Sequence, residues 1–494
     1  MTDRFPSPNS RPPGSGRTTS GTWAGFAAGS AAFALTVLVR LATGIPTLAE
    51  RVAEAITILI PVGLFDALLG LFGTFAKPML VVVVAIGVVA GGSLIGWIAA
   101  RLNDRRRAVL VAAALALVGG AGLPLALGAV STAAVGLVAA ALFTLAFALR
   151  YDPLAPPDPE ADVSRRHILQ WAAIAGVLLL VGGGAWRLLT NGGRVIAGVL
   201  PSAITPTDDF YVVSKNLIDP SVDAATWRLR VGGLVAEPME LTLDELRALG
   251  EVEQLQTLEC ISNEVGGHLI STARWRGVPL RALVDGVRPH AGVVELKLTA
   301  EDGYTESIPL AMAADERVLL AFEMNGKPLP ERHGFPLRLL LPGTYGMKGP
   351  KWLSGIEAID TPYDGYWEQR GWTKAALIKT MSRLDAPASG SPLDRRRPIP
   401  LAGIAFAGDR GIGRVELQLG EDAAWVAAEL DPPTGDSPAG VWRFWRYAWS
   451  PPRAGTYRVR VRSVDGRGDV QSAQVAGTLP DGASGYDGTS YTVT

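Results

Sequence analysis

One cysteine, Cys260, lies at the end of an alternating apolar and polar segment, just before a glycine pair. The segment reads Leu255-Gln256-Thr257-Leu258-Glu259-Cys260-Ile261-Ser262-Asn263-Glu264 and is followed by Val265-Gly266-Gly267. This alternation is typical of a strand that ends in a loop, where a thiolate can be a soft ligand for a transition metal. Two other interpretations stay open on the residues alone. Cys260 could be a buried small hydrophobic side chain, or a nucleophile paired with one of the four histidines, His167, His268, His290 and His333.

A second cluster combines basic side chains with glycines. The segment His333-Gly334-Phe335-Pro336-Leu337-Arg338 leads to Tyr345-Gly346-Met347-Lys348-Gly349-Pro350-Lys351-Trp352. The glycines permit a close approach of the backbone, and His333, Arg338 and Lys351 can donate hydrogen bonds to an anionic, phosphate-bearing ligand. Taken alone, the same segment could also be a hairpin with solvated basic residues.

Together these segments resemble the sulfite-oxidase family of molybdopterin-dependent oxidoreductases. The resemblance runs from about Thr205 to the C-terminus, and the order and spacing of its motifs are specific. It rests on Asp209-Phe210-Tyr211, the strand at Trp227-Arg228-Leu229, Cys260 with Asn263, and the His-Gly-x-Pro-x-Arg motif that ends in Lys351-Trp352.

The resemblance implies a molybdenum-molybdopterin cofactor and oxygen-atom transfer to or from a small-molecule substrate. It implies that Cys260 is the metal ligand and a catalytic residue, and that Arg410 is a second catalytic residue that binds an anion. The residues that it implies in cofactor binding are Tyr211, Asp302, His333, Arg338, Gly349 and Lys351. It also implies a C-terminal Ig-like domain of the kind that the family often uses for dimerisation.

The chain departs from the sulfite oxidases of animals and plants at three places. Asn263 is followed by Glu264 and Val265, where those enzymes have arginines. Trp372 aligns with their active-site tyrosine, and Lys215 only approximately replaces an early anion-binding arginine. A small dianion needs several convergent cationic donors, so these departures predict that sulfite is a poor substrate and that a neutral S-oxide or N-oxide is favoured.

The elements that must position these residues divide the chain into an apolar part and a polar part. Residues 23–150 contain 12 charged side chains in 128 positions, whereas residues 151–494 contain 77 in 344. Apolar runs at about 23–42, 79–100, 108–127 and 129–149 each approach the ~20 residues of a membrane-spanning helix. Segment 52–73 contains Glu54, Pro61 and Asp66, which favours an amphipathic helix at the membrane interface over a span.

Lysines and arginines in the short loops predict the orientation of the spans. Arg101 and Arg105-Arg106-Arg107, together with the N-terminal arginines and Arg165-Arg166, share one side if segment 52–73 does not cross. A fifth span at about 168–189 then places the remainder of the chain on the extracytoplasmic side. Arg165-Arg166 before this span is similar to a twin-arginine export signal, and plain positive-inside topology is the alternative.

The predicted fold class is an N-terminal α-helical transmembrane bundle, an α+β sulfite-oxidase-type molybdopterin domain and a C-terminal Ig-like β-sandwich. The predicted domains are a disordered tail at 1–22, a transmembrane region at 23–189, an oxidoreductase domain at 200–385 and an Ig-like domain at 398–494. The Pro-rich segment Ala386–Pro400 is predicted to link the last two. Short alternating strands after it predict the sandwich.

The expected partners are the lipid bilayer, a small-molecule substrate, a separate electron-transfer partner such as a cytochrome or a quinone-linked protein, and a second copy of the chain in a homodimer. Lys and Arg number 46 against 47 Asp and Glu, a balance that gives no basic surface for nucleic acid. Two alternatives from other functional classes are a cofactor-free membrane receptor that reuses the scaffold and a transporter formed by the helices.

Overall fold

The computed structural model describes residues 15–43, 45, 47–59, 76–102, 104–126, 130–152, 199–216, 219–435 and 439–494. The chain divides into two compact units, Met1–Thr190 and Asn191–Thr494. Each unit has a hydrophobic core of its own.

Apolar helices make up the described part of the N-terminal unit. They are α1 Ser15–Thr43, α2 Leu48–Leu59, α3 Ala76–Ala99, α4 Arg105–Leu117, a π-helical turn at Val118–Gly122, α5 Leu123–Ala126 and α6 Val130–Arg150. Four stretches are long and apolar enough to cross a membrane, namely Ser20–Arg40, Met79–Ala99, Arg105–Leu125 and Thr132–Arg150. These stretches coincide closely with the four predicted apolar runs.

Helix α2 covers the start of the segment that is predicted to lie at the membrane interface, and it ends at Leu59. The rest of segment 52–73 lies outside the described residues. Arg165, Arg166 and the predicted fifth span at 168–189 also lie outside them.

Small residues let the helices of the N-terminal unit pack closely. A Cβ added at Gly29 of α1 would lie 3.3 Å from the Cα of Gly92 in α3, and one added at Gly92 would lie 3.3 Å from Cε2 of Phe143 in α6. In a bilayer, where no hydrophobic driving force acts between helices, close contacts of this kind would hold the helices together. Near the end of α1, Arg40 forms an ion pair of 3.2 Å with Glu50 of α2, so this arginine has a partner within the unit.

The C-terminal unit begins with a five-stranded mixed sheet in the order β2-β1-β10-β5-β6, in which only β1 and β10 pair in parallel. Its strands are β1 Leu229–Gly233, β2 Met239–Leu241, β5 Glu295–Ala300, β6 Thr305–Pro309 and β10 Leu353–Ile359. A capping box begins the short helix α7, Leu243–Arg247: the Thr242 side chain accepts a hydrogen bond from the Glu245 amide, and the Glu245 side chain accepts one from the Thr242 amide.

A second sheet carries the cysteine strand. Its strands are β3 Val252–Glu259, β4 Ile270–Pro279, β7 Leu319–Met324, β8 Lys327–Pro328 and β9 Arg338–Leu340. They pair antiparallel in the order β3-β4-β7-β8, and β9 pairs with β7. Helix α8, Leu280–Val287, follows β4 and buries Leu280 and Leu283 in a core that it shares with the first sheet.

Two four-stranded antiparallel sheets, here called the C-terminal sheet pair, follow along the chain. Their orders are β11-β12-β16-β15 and β14-β13-β17-β18. The strands are β11 Met381–Ala386, β12 Ile399–Phe406, β13 Ile412–Leu419, β14 Trp425–Ala427, β15 Glu429–Leu430, β16 Arg443–Trp449, β17 Gly455–Asp465 and β18 Asp487–Val493. Both sheets contribute to one buried core that includes Leu401, Trp445, Val415, Val461 and Tyr491.

The Pro-rich segment predicted as a linker connects β11 to β12. These two strands pair with each other along most of their length, from Met381 opposite Phe406 to Ala386 opposite Ala402. The strand that precedes the segment is therefore part of the C-terminal sheet pair. The Ig-like topology and the division at residues 385 and 398 stay predictions.

Candidate cofactor site

Cys260 is the first residue after β3 and opens a loop that closes at Leu269. The Cys260 amide donates to the Leu269 carbonyl at 2.9 Å, one step beyond the pairing of Glu259 with Ile270. Cys260 is 9% exposed. Burial raises the pKa of its thiol to about 11, and hydrogen bonds from Ser262 oppose this shift. The thiol is therefore protonated at neutral pH, and a cation close to its sulfur would favour the thiolate.

Tyr211 and Gly346 bring two other segments to Cys260. A Cβ added at Gly346 would lie 3.0 Å from the Tyr211 hydroxyl and 3.5 Å from the Glu259 carbonyl oxygen, so glycine lets this loop pass beside the cysteine strand. Burial raises the pKa of Tyr211 strongly, and Cys260 and Arg338 are the next two influences on it. The partly exposed Tyr211 therefore lies close to the buried Cys260 and Arg338.

Arg338 is a buried cation at the start of β9. It is 6% exposed, its NH1 donates to the His333 carbonyl at 3.1 Å, and its guanidinium lies 5.3 Å from the centre of the Trp275 ring. Its Nε has no hydrogen-bond partner within the described residues. Burial lowers the pKa of Arg338 to about 10. Because a buried cation with an unsatisfied donor is costly, an anionic ligand at Nε would stabilise this group.

His333 is neutral at physiological pH. Burial lowers its pKa to about 3, and the neighbouring charge of Arg338 adds to this effect. Its Nε2 lies 3.3 Å from the Thr207 carbonyl, which can only accept, so Nε2 carries the proton and Nδ1 is an acceptor.

Gly334 allows Arg338 and Lys351 to lie close to each other. A Cβ at this position, where φ is +111°, would lie 3.1 Å from Cβ of Arg338 and 3.0 Å from Cβ of Lys351. Lys351 donates to the Arg332 carbonyl at 3.0 Å and lies 4.4 Å from the centre of the Trp352 ring. The Gly349 amide donates to the Gly346 carbonyl at 3.2 Å and so tightens the turn before Lys351.

Asp302 contacts protein donors through both carboxylate oxygens. Oδ1 accepts from the Tyr304 amide at 2.9 Å, and Oδ2 accepts from the Asn216 side chain at 2.9 Å and lies 3.4 Å from Nζ of Lys215. Lys215 also donates to the Asp302 carbonyl at 2.8 Å. Two sequence candidates, one for the cofactor and one for an anionic substrate, are thus paired with each other.

Arg410 lies in a turn, Gly408–Arg410, that touches the loop before the site. A Cβ at Gly343 would lie 2.8 Å from Oδ1 of Asp409. The guanidinium of Arg410 is bound within the C-terminal sheet pair: Nε donates to Asp465 at 2.7 Å and NH2 donates to Thr380 at 3.0 Å.

Trp372, the residue that aligns with the family's tyrosine, is buried. It packs in one cluster with Ile261, which follows Cys260, and with Tyr345, which precedes Gly346. An apolar wall therefore stands beside the loops of the site.

The residues present fit a metal-bearing cofactor with a phosphate. A thiol, a buried guanidinium with an unsatisfied Nε, a lysine and glycines that admit a close approach meet in one region. The described residues hold no cluster of three or more His, Cys, Asp or Glu side chains suited to a metal ion, so the protein alone would supply few ligands and the cofactor the others.

Comparisons with known proteins agree with this chemistry. A family model for an oxidoreductase molybdopterin binding domain matches residues 216–367. The sulfite oxidase of Gallus gallus is 31% identical over 329 residues, which cover 55% of this chain and 69% of that protein. The chain belongs to the sulfite-oxidase family of molybdopterin-dependent oxidoreductases. The cofactor of this family member is therefore molybdenum with molybdopterin.

Two further comparisons bear on the extent of the match. A putative protein-methionine-sulfoxide reductase subunit, YedZ1, of Azospira oryzae is 33% identical over 151 residues, covering 31% of this chain and 56% of that one. The crystal structure of the sulfane dehydrogenase SoxCD from Paracoccus pantotrophus shares the fold, with a TM-score of 0.51 and 20% identity over 60% of this chain and 85% of that chain. The match spans 58% of the length of the mitochondrial sulfite oxidases of rat and human.

The structure also reveals buried charges of this sulfite-oxidase family member that the sequence reasoning missed. Lys348 lies between two buried carboxylates, 2.7 Å from Glu306 and 2.6 Å from Glu368. Glu259 accepts from Asn263 at 2.9 Å through Oε1, whereas its buried Oε2 has no partner within the described residues. Burial raises the pKa of Glu259 to about 7. Glu306 stands between Thr305 and Ser307 in a strand of mixed polarity, so no local pattern marked it as buried.

Proposed function

We propose that this chain is a membrane-anchored, extracytoplasmic molybdenum oxidoreductase that transfers an oxygen atom to or from a small substrate, with Cys260 as the protein's ligand to the metal. The observation that carries the proposal is the meeting of a buried thiol with a buried arginine whose Nε has no partner in the described chain. When bound, the molybdenum centre supplies the two-electron redox chemistry and the exchange of the oxygen atom.

The chain's own residues bind and orient the cofactor in this proposal. Arg338 and Lys351, which Gly334 brings together, bind the phosphate, because charge-assisted hydrogen bonds from two cations neutralise it. His333 presents an acceptor at Nδ1, and the hydroxyl of Tyr211 lies beside Gly346. Gly349 shapes the turn that presents Lys351.

The charges around the site support a neutral substrate. Asp302 neutralises Lys215 and Asp465 neutralises Arg410, so the two cations that would bind an anion are already paired. Glu264 adds an exposed carboxylate after the cysteine, and Trp372 adds an apolar wall. We therefore expect an S-oxide or N-oxide to react better than sulfite, which agrees with the methionine sulfoxide in the name of the Azospira oryzae relative.

The four apolar helices support a membrane anchor, and the arginines of their loops support an extracytoplasmic position of the catalytic part. We propose that Arg165-Arg166 route the folded domain through the twin-arginine exporter, since the pterin must be inserted before export. Replacing both by Lys keeps the charge, so export of molybdenum-loaded protein should stop. The matched pair Arg106→Lys with Arg107→Lys should leave export unchanged, and export of the first variant at the wild-type level would contradict the proposal.

A separate electron-transfer partner completes the reaction in this proposal, because the described residues offer one redox site. The name of the Azospira oryzae relative describes a subunit, which supports a partner of this kind. We further propose that the C-terminal sheet pair is an Ig-like sandwich and forms a homodimer. Sedimentation of the detergent-solubilised chain tests the dimer.

The test of the proposed function is metal and pterin analysis of the purified full chain, together with the electron paramagnetic resonance spectrum of half-reduced molybdenum. Cys260→Ser should keep the fold, change the spectrum and abolish most turnover. His268→Gln is the control and should change neither, whereas equal losses in both variants would indicate a Cys-His pair. A chain without molybdenum, or a Cys260→Ser spectrum identical to the wild type, would refute the proposal.

A further inference from the structure

A buried arginine of the C-terminal sheet pair forms a hydrogen bond with the cysteine loop, defined here as residues 260–269. Arg383 of β11 is 4% exposed. Its Nε donates to Asp385 at 2.7 Å, and its NH1 donates to the Gly267 carbonyl at 2.7 Å. One guanidinium thus joins an acid of its own strand to the backbone of the loop.

A second strand of the sheet pair meets the same loop at the neighbouring glycine. A Cβ at Gly266, where φ is +73°, would lie 2.7 Å from Oδ1 of Asp487 at the start of β18. Oδ2 of Asp487 accepts from the Leu384 amide at 2.8 Å, which ties β18 to β11 at this point. The glycine therefore permits a contact that any side chain would block.

The loop is also tied from within, through Asn263. Its Nδ2 donates to Glu259 at 2.9 Å and its Oδ1 accepts from the Leu269 amide at 2.9 Å. The Asn263 amide donates to the Cys260 carbonyl at 2.9 Å. A Cβ at Gly267 would lie 2.5 Å from Oδ1 of Asn263, so the inner and outer contacts meet at adjoining positions.

We propose that Arg383 is a positioning residue for Cys260, through which the C-terminal sheet pair fixes the loop that presents the thiolate. The planar fork of arginine can hold Asp385 and the Gly267 carbonyl at once, whereas a lysine ammonium on a flexible stem cannot reproduce both directions. The geometry of a metal ligand and the groups around its sulfur set the electronic properties of the metal. This inference rests on the proposed role of Cys260 as the metal ligand, and it gives the sheet pair a role at the site beyond dimerisation.

The first experiment needs no cofactor. Amide hydrogen exchange is measured on the purified, cofactor-free full chain in peptides that cover residues 260–269, where four amides are hydrogen-bonded within the loop, namely those of Cys260, Asn263, Gly267 and Leu269. Arg383→Lys should speed their exchange by about tenfold or more, since it loses a charge-assisted contact. The matched control is Arg462→Lys, an arginine of β17 that pairs with Glu416 at 2.7 Å, and it should leave these peptides unchanged.

The second experiment uses the cofactor-loaded chain. Arg383→Lys should shift the spectrum of half-reduced molybdenum and its midpoint potential, and should lower kcat more than it raises KM. If Arg383→Lys does not fold, Asp385→Asn serves instead, because it keeps the arginine and loosens only its anchor. An unchanged spectrum in the folded variant would overturn the inference, whether or not loop exchange changes.

The two proposals fail separately. A spectrum that changes in Cys260→Ser but not in Arg383→Lys refutes the positioning role and leaves the metal ligand intact. A spectrum that changes in neither variant refutes the metal ligand itself, and faster loop exchange in Arg383→Lys would then show an effect on the loop alone.

Discussion

Arg338 and Lys348 are buried cations ten residues apart in the same motif, but the partners that the protein gives them differ. Lys348 is 3% exposed and lies within 2.7 Å of two carboxylates, those of Glu306 and Glu368. Arg338 is 6% exposed, yet its hydrogen bond goes to a backbone carbonyl and its Nε has no partner within the described residues. The protein satisfies the first cation, whereas the second keeps an unsatisfied donor, which fits the ligand-binding role proposed for it.

Within one glycine-rich segment, Lys348 therefore supports the fold, whereas Arg338 is the residue proposed to bind the cofactor. Lys348, Glu306 and Glu368 are here called the Lys348 cluster. Glu368 also accepts from the Gly365 amide at 2.7 Å, so this cluster ties the turn at Gly346–Lys348 to the segment that leads to Trp372. Removing Lys348 should therefore damage the fold, whereas removing Arg338 should damage cofactor binding. The variants below test this separation.

The largest effect is expected from Lys348→Met. Two buried carboxylates would lose their shared cation, which typically costs about 3–5 kcal/mol of unfolding free energy. Urea unfolding of the cofactor-free chain, followed by tryptophan fluorescence, measures the loss. Lys374→Met is the matched control, because Lys374 pairs with Glu295 at 2.8 Å but is 34% exposed, and it should cost about 1 kcal/mol or less. Equal losses in both variants would contradict a structural role for the Lys348 cluster.

Arg338→Met should give the reverse pattern. The unfolding free energy of the cofactor-free chain should change little or rise, because an uncompensated buried charge is removed. Cofactor affinity should fall by about tenfold to a hundredfold, the effect of losing about 1.5–3 kcal/mol of charge-assisted hydrogen bonding. Molybdenum content after dialysis measures this loss. Arg332→Met, on an exposed neighbouring arginine that pairs with Asp208, should retain the cofactor. Full retention in Arg338→Met would remove the basis of the comparison.

The Lys348 cluster should also make stability depend on pH. Burial raises the pKa of Glu306 from 4.5 to about 7, although Lys348 opposes the shift. The folded state then binds this proton more tightly than the unfolded state, so the contribution is present below pH 4.5 and is lost as the pH rises through about 7. Relative to Glu306→Gln, the wild type should lose on the order of 1–2 kcal/mol between pH 5 and pH 8. Urea unfolding at both values measures it.

The control for this pH dependence is Glu295→Gln. Lys374 and the Tyr363 amide lower the pKa of Glu295, so its stabilising contribution is lost only on acidification. The difference between the wild type and Glu295→Gln should therefore not shrink as the pH rises from 5 to 8. A wild type and Glu306→Gln that follow parallel pH profiles would show that Glu306 is ionised throughout the range.

The sequence was sufficient for features that local pattern determines, and insufficient for those that depend on tertiary contacts. The apolar runs, the Thr242 capping box and the strand that ends just before Cys260 follow from periodicity and residue type, and the structure contains them. Residue type marked Arg338 and Lys351 as donors to an anion, and the structure places both beside Gly334. By contrast, Arg383 and Gly267 are 116 positions apart in the sequence, and no local pattern predicts the hydrogen bond between them.

The pairing of charged side chains likewise could not be predicted from the sequence. Lys215, Asp302 and Arg410 all suggest ligand contacts by residue type, but only the structure shows that Asp302 pairs with Lys215 and Asp465 with Arg410. Whether a charged side chain is free to bind a ligand depends on its neighbours in space. Lys215 and the Asp302 carbonyl that it contacts are 87 positions apart in the sequence.

The smallest expected effect concerns this pairing. Asp302→Asn keeps an acceptor for the Tyr304 amide but removes the charge that neutralises Lys215, so it converts a satisfied cation into one that can bind an anion. An anion about 4 Å from the freed Lys215 in a hydrated site would gain about 1 kcal/mol, which corresponds to a decrease of about fivefold in the KM for sulfite. The gain should shrink with added salt, because the attraction is screened, whereas turnover of a neutral sulfoxide should change little.

Asp315→Asn, which releases the exposed Arg317 from a contact of 2.7 Å, is the control and should leave the kinetics of both substrates unaffected. Steady-state kinetics at two ionic strengths decide the matter: an unchanged KM for sulfite would mean that Lys215 does not face the substrate, and the preference for a neutral substrate would then have to come from Trp372 and Glu264.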